Sequence, residues 1–143
     1  MSEIWTWPVA VRREKDGSYH TYSKDFPEAI ASGGTRGEAL AEMELAFAAA
    51  VRGRIADEMD LPSPRAAGRG EATLFLPPGL AAKASVYAAW RRSKLSKSAL
   101  AKRMGRNEGE VRRILDPWHG TKIDQLAEAA RALGGHLTVG FDG

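Results

Sequence analysis

The sequence predicts an α+β fold: a small antiparallel sheet with one long helix, followed by an all-α unit that ends in a short β-strand. Three observations carry that expectation. Residues 5–22 alternate around an Asp16-Gly17 turn, the pattern of a hairpin. Residues 36–59 switch to a helical period behind a Thr35/Glu38 capping box. A Pro/Gly/Arg-rich stretch at 61–70 then separates this half from one that reads as helical from Leu80 to Leu133. The expected division is residues 1–76 and residues 77–143.

In chain order, Trp5 to Val11 is β-prone, and Pro8 marks it as an edge strand or kinks it. Glu14-Lys15-Asp16-Gly17 turns the chain, and Tyr19 to Tyr22 returns it. Residues 23–27 form a loop, and residues 28–32 a weak third strand ended by Gly33-Gly34. Leu40, Met43, Phe47, Ala50 and Ile55 recur at helical spacing, so one amphipathic helix over 36–59 covers a face of the sheet. Leu61-Pro62-Ser63-Pro64 stops it. Residues 72–76 are β-like and rejoin the sheet, until Pro77-Pro78-Gly79 breaks them.

Composition narrows the chemistry. The 143 residues include no cysteine, which excludes disulfides, a thiol nucleophile and thiolate metal sites. His20, His119 and His136 are far apart and form no metal pair, so neither a metal nor a cofactor is expected. No apolar run approaches the roughly 18–20 residues that span a bilayer. The N-terminal segment lacks the basic stretch and apolar core of a signal peptide, so a cytoplasmic location without a membrane partner is expected. Charge is divided unevenly: residues 1–60 carry a net −4 and residues 61–143 a net +7. Residues 83–113 hold ten basic side chains against two acidic ones, Glu108 and Glu110. From charge alone, this is either a polyanion-binding surface or a solvated helical surface that is basic.

The segment 95–115 separates those two readings. Ser96 can cap a short helix with Leu100, Ala101 and Met104 inside; Gly105 sits at the turn; Asn107 can cap a second helix with Val111, Ile114 and Leu115 inside. That is the helix-turn-helix pattern. Its geometry turns Glu108, Gly109, Arg112 and Arg113 toward the major groove. Lys97, Ser98, Lys102, Arg106 and Asn107 fall on the flanking helix and turn, where phosphates pass. Arg112 can read guanine and Glu108 can accept from cytosine. The two glutamates repel phosphates, so nonspecific affinity should be modest.

After a loop at 116–120, residues 121–133 read as a helix capped at Thr121, with Ile123, Leu126, Ala127, Ala130 and Leu133 inside and Gly134-Gly135 at its end. Residues 136–141 alternate as a strand, and a lone strand needs a partner. Pairing with its own copy through Leu137, Val139 and Phe141 would make a homodimer or higher oligomer suited to a palindromic operator; the other option is pairing within the chain.

In their order, these motifs resemble the HicB-type antitoxins of bacterial type II toxin–antitoxin systems, in the subclass with a C-terminal helix-turn-helix. The resemblance rests on Trp7-Pro8-Val9, Asp16-Gly17, Tyr19 and Tyr22, Asp25-Phe26-Pro27-Glu28, and Gly34-Thr35-Arg36-Gly37-Glu38-Ala39-Leu40. It continues through Leu76-Pro77, Ala81-Ala82-Lys83 and Tyr87 to the helix pair and Ala132-Leu133-Gly134-Gly135-His136-Leu137. Two places depart from the family's habit: Glu28-Ala29-Ile30 replaces a Gly-Cys or Gly-Val pair, and Glu108-Gly109-Glu110 stands where Arg or Gln is commoner. The resemblance implies a truncated ribonuclease H-like N-terminal domain that binds and neutralises a small basic HicA-like RNA-cleaving toxin. The acidic half suits such a partner. It also implies repression of the protein's own operon through double-stranded promoter DNA. Candidate toxin contacts are Trp5, Trp7, Tyr22, Asp25, Phe26 and Glu28, although the aromatic ones equally suit sheet packing.

Two rival readings remain. An active nuclease needs three or four clustered carboxylates, whereas Asp16, Asp25, Glu28 and Glu38 fall in a turn, a loop and a cap, so no catalysis is expected. A free-standing repressor would instead need a ligand pocket in the N-terminal half.

Overall fold

The computed structural model describes residues 3–143. Four strands form one sheet: β1 (Thr6–Arg13), β2 (Tyr19–Tyr22), β3 (Ile30–Gly33) and β4 (Glu71–Phe75). Their order is β3-β2-β1-β4, and every pairing is antiparallel. Pro8 does not lie on an edge strand, because β1 has neighbours on both sides. The register explains the exception. β1 pairs with β2 only from Ala10 to Arg13, and with β4 only from Thr6 to Ala10. Pro8 therefore lies where β1 has one free side, and its missing N–H breaks no ladder.

Helix α1 (Arg36–Ala56) crosses one face of this sheet. Thr35 accepts from the Glu38 amide at 3.1 Å as the sequence predicts, while Glu38 reaches back to the Gly34 amide at 3.1 Å, one residue before the Thr35 amide of a full capping box. Gly33 lets the helix start directly against β3: a Cβ there would lie 2.6 Å from the Ala39 nitrogen. The helix ends earlier than residue 59. Glu58 takes a left-handed backbone (φ 53°) and turns the chain away. Met43, Phe47, Val51 and Ile55 line the inner face of α1 and meet Trp7, Val9 and Leu74 from the sheet.

Four helices follow: α2 (Pro78–Ser93), α3 (Lys97–Met104), α4 (Glu108–Leu115) and α5 (Ile123–Ala132). The main core does not stop at residue 76. It runs from Trp7 and Phe47 through Leu80, Tyr87 and Trp90 to Leu100, Val111 and Leu115. A second cluster joins Ala82 and Val86 of α2 to Ile114, Leu126 and Ala129. Across the junction, the Tyr87 hydroxyl donates to the Met59 carbonyl at 2.6 Å, and Arg91 pairs with Asp60 at 2.9 Å. Burial pushes the Tyr87 phenol up to about 12. The stretch 61–70 is pinned at Arg65, whose amide donates to Thr6 and whose guanidinium meets Asp25 and Glu71.

Two expectations for the C-terminal end are corrected. Thr121 does not cap α5; Lys122 occupies that position without a side-chain bond, because the Thr121 hydroxyl is engaged by Lys83 and the Arg113 carbonyl. Residues 136–141 form no strand. No strand among the described residues pairs with them, so alternation alone does not build a ladder. Leu137 packs on the second cluster, while Val139 and Phe141 are exposed.

Candidate nucleic-acid interface

Helices α3 and α4 form a compact pair. Ser96 accepts from the Ala99 amide at 3.0 Å and starts α3. Gly105 ends it in a left-handed conformation (φ 66°), which a side chain rarely adopts. Asn107 then starts α4 with a reciprocal cap: its carbonyl oxygen accepts from the Glu110 amide at 2.8 Å, and the Glu110 carboxylate accepts from the Asn107 amide at 3.3 Å. Leu100 and Ala101 meet Val111 and Leu115 inside the pair, all buried as the sequence predicts. The opposite sides of both helices face solvent.

The charged residues on those sides are networked. Glu108 accepts from the Ser98 hydroxyl at 2.7 Å and from Arg112 at 3.0 Å. Arg106 donates to Glu128 of α5 at 2.7 Å and lies 3.8 Å from Glu110. The Glu128 contact holds the Arg106 guanidinium even more firmly protonated than usual. Lys97 lies 2.9 Å from Glu58, beyond the end of α1, and 5.8 Å from the centre of the Trp90 ring. Lys102 and Arg113 are exposed, and no ion pair among the described residues engages them. A Cβ at Gly109 would lie 3.2 Å from Asn107 Oδ1, so glycine leaves the cap and the first turn of α4 uncrowded. Asn107 itself spends its side-chain oxygen on the cap. Ser98, Glu108 and Arg112 are thus brought together by one carboxylate, whereas Arg106 is held toward α5 and Lys97 toward the end of α1.

Lys83 is the residue that sequence reasoning missed. It belongs to α2, is 3% exposed, and reaches beneath the last turn of α4. Its Nζ donates to the Ile114 carbonyl at 2.8 Å, the Arg113 carbonyl at 3.1 Å and the Thr121 hydroxyl at 2.7 Å. Burial lowers its pKa to about 8, against the opposing pull of Asp116. A signal was present: Lys83 follows Leu80 by three residues and precedes Val86 and Tyr87 by three and four, on the apolar stripe of α2.

The N-terminal candidates separate into two groups. Trp7 and Phe26 are fully buried, which corrects their reading as partner contacts. With Phe47 they form three aromatic pairs with ring centres 4.7–5.5 Å apart. Trp5 packs edge-on against Trp7 and is half-buried. Tyr22 is exposed beneath the Arg12 guanidinium. Glu28 accepts two bonds from Arg54, at 2.7 and 2.8 Å, which holds its carboxyl below the usual range. Asp25 pairs with Arg65. The four carboxylates weighed for nuclease chemistry are thus dispersed: Asp16 accepts from Ser18, and Glu38 caps Gly34.

A family model described as the HicB-like antitoxin of bacterial toxin-antitoxin systems matches residues 6–85. The chain is similar to Antitoxin HicB 2 of Photorhabdus laumondii, with 34% identity over 97% of this chain and 98% of that protein. It is also similar to Antitoxin HicB 1 of the same organism, at 36% identity over 95% of this chain and 86% of the relative. Antitoxin HicB of Escherichia coli (strain K12) is 29% identical over 93% of this chain and 96% of its own length.

Proposed function

The chain belongs to the HicB-like antitoxin family of bacterial toxin–antitoxin systems, and from that membership we propose that it neutralises a small, basic HicA-like RNA-cleaving toxin and represses its own operon. The toxin contact is assigned to the N-terminal half, where Tyr22 and Glu28 are exposed and Trp5 and Asp25 are partly buried. The −4 balance of residues 1–60 favours a basic partner. The DNA contact is assigned to α3 and α4, read as a helix-turn-helix. Residues 136–141, where Val139 and Phe141 are exposed, are assigned to pairing between copies, which would present two such units to a palindrome.

The observation that carries the DNA reading is the α3–α4 pair itself. Two capped eight-residue helices turn at a left-handed Gly105, share a buried apolar seam, and present Lys102, Arg106, Arg112 and Arg113 outward. The test has two arms. The tagged protein is co-expressed with the small open reading frame beside its own gene, and complexes are purified through high salt. Binding to the DNA upstream of that gene is measured against a scrambled fragment. Retention of a basic protein of toxin size and preference for the upstream fragment are expected. Failure of the first arm removes the toxin assignment; equal binding to both fragments removes the operator assignment.

A further inference from the structure

A buried lysine requires a reason, because removing its charge from water is costly unless acceptors replace the lost hydration. Lys83 has three acceptors for its three N–H bonds: the Arg113 and Ile114 carbonyls and the Thr121 hydroxyl. The two carbonyls belong to the last turn of α4, where the helix dipole favours a cation; the Arg113 carbonyl also accepts the Asp116 amide at 3.2 Å. Thr121 lies across the loop that leads to α5, and its hydroxyl also contacts the Arg113 carbonyl at 3.3 Å. One ammonium thus ties α2, the end of α4 and the approach to α5 at a single point.

Helix α4 has only eight residues, and its end in the interior is the one that Lys83 grips. Its other end carries Glu108 and Gly109 outward. A small rotation about the gripped end displaces the exposed turn, because a short rigid helix transmits a tilt along its length. Base reading depends on that placement, whereas attraction to phosphate does not.

We propose that Lys83 is the positioning residue of the α3–α4 pair: by clamping the C-terminal turn of α4 to α2 and Thr121, it sets the angle at which the N-terminal turn of α4 meets base edges. The inference rests on the reading of α3–α4 as the DNA contact. It assigns sequence discrimination to a side chain that touches no DNA.

The test compares the full-length protein with Lys83→Met, which keeps the length of the side chain without its donors, and with Thr121→Val, which keeps the shape without the hydroxyl. Binding is measured to the fragment upstream of the gene and to a scrambled fragment over a range of salt. Lys83→Met is expected to lose about tenfold in affinity for the upstream fragment, with scrambled-fragment affinity and salt slope unchanged, because the outward cations remain. Thr121→Val is expected to lose a smaller factor in the same direction. A folded Lys83→Met that discriminates like the wild type overturns the proposal, as does a parallel loss on both fragments. If Lys83→Met does not fold, Thr121→Val decides by the same criterion. If the wild type itself shows no preference, the DNA reading fails and amide exchange in α4 decides about the clamp. Exchange about tenfold faster at residues 111–115 in Lys83→Met, with α1 unchanged, sustains it; equal protection overturns it.

Discussion

Around Trp7, three aromatic rings meet with centres 4.7–5.5 Å apart, and water reaches none of them. On the outer face of α3 and α4, Glu108 and Arg106 meet their partners at 2.7–3.0 Å, and water reaches every member. The first region gains its stability from apolar area that nothing else can cover. The second gains little, because exposed ion pairs contribute about 0–1 kcal/mol and are screened by salt. The weak region is therefore free to exchange partners. On the proposed DNA reading, a phosphate can replace Glu108 beside Arg112 without loss of the fold, whereas no partner can replace Phe47 beside Trp7.

The largest effect should come from the aromatic core. Trp7→Ala is expected to cost about 3–5 kcal/mol, read as a lowered urea midpoint. Because the same core continues to Leu100 and Val111, the proposed promoter-DNA binding should fall with it. A Trp7→Ala protein that keeps full DNA affinity at its unfolding midpoint would show that the two halves are energetically separate.

Lys83 lies between the two regions, being charged yet buried. Its folded pKa of about 8 is below the ordinary lysine value of 10.5, so between those pH values the unfolded chain binds the proton that the folded chain has released. Stability must then rise with pH from about 8 toward 10.5, and be lost as pH falls back through 8. Tyr87, pushed up to about 12, acts in the opposite direction only above pH 10. The measurement is the melting temperature of wild type minus that of Lys83→Met. Between pH 8 and 9.5 the difference should grow in favour of the wild type, and a flat difference would place the Lys83 titration elsewhere.

A smaller effect is expected at the cap of α4. Asn107→Ala removes the acceptor for the Glu110 amide and should cost about 1 kcal/mol. Upstream-fragment affinity should fall by more than that loss of stability populates unfolded chains, since α4 frays at the turn assigned to the bases. Thermal melts and binding on the same samples separate the two effects.

Much of this contrast was legible in the residues, because local chemistry decides it. Asp16-Gly17 can serve a tight hairpin, the Thr35/Glu38 spacing caps a helix, and Leu100, Ala101, Val111 and Leu115 have the spacing of two helices packed across a turn. The rest depends on distance through space. Nothing local to Trp7 or Phe26 says which side of the sheet α1 will cover, so core and surface aromatics looked alike. Pro8 stands in a central strand only because β2 and β4 pair with different halves of β1. Lys83 reaches residues about thirty positions away, and Arg106 finds Glu128 on another helix. The strand pattern at 136–141 states what a segment can do beside a partner, not that the chain supplies one.

The smallest expected change in stability is also the sharpest test of the comparison. Glu108→Gln removes one charge from the exposed face and keeps the size of the side chain. The contact with Ser98 can persist through the amide, and the Arg112 contact weakens to a neutral hydrogen bond. The cost to folding should stay within about 0.5 kcal/mol, since the pair is solvent-exposed and four residues apart on one helix. DNA should register the change more strongly. Arg112 no longer has a fixed counter-ion, and one repulsion toward phosphate is gone, so affinity for a scrambled fragment should rise several-fold at low salt. The gain should shrink as salt increases, because the Debye length contracts to about 8 Å at physiological ionic strength. If Glu108 also reads a base, the same substitution narrows the preference for the upstream fragment. A loss of stability above about 1.5 kcal/mol would instead mean that Glu108 supports the fold as the aromatic core does, and the division between the two regions would not hold.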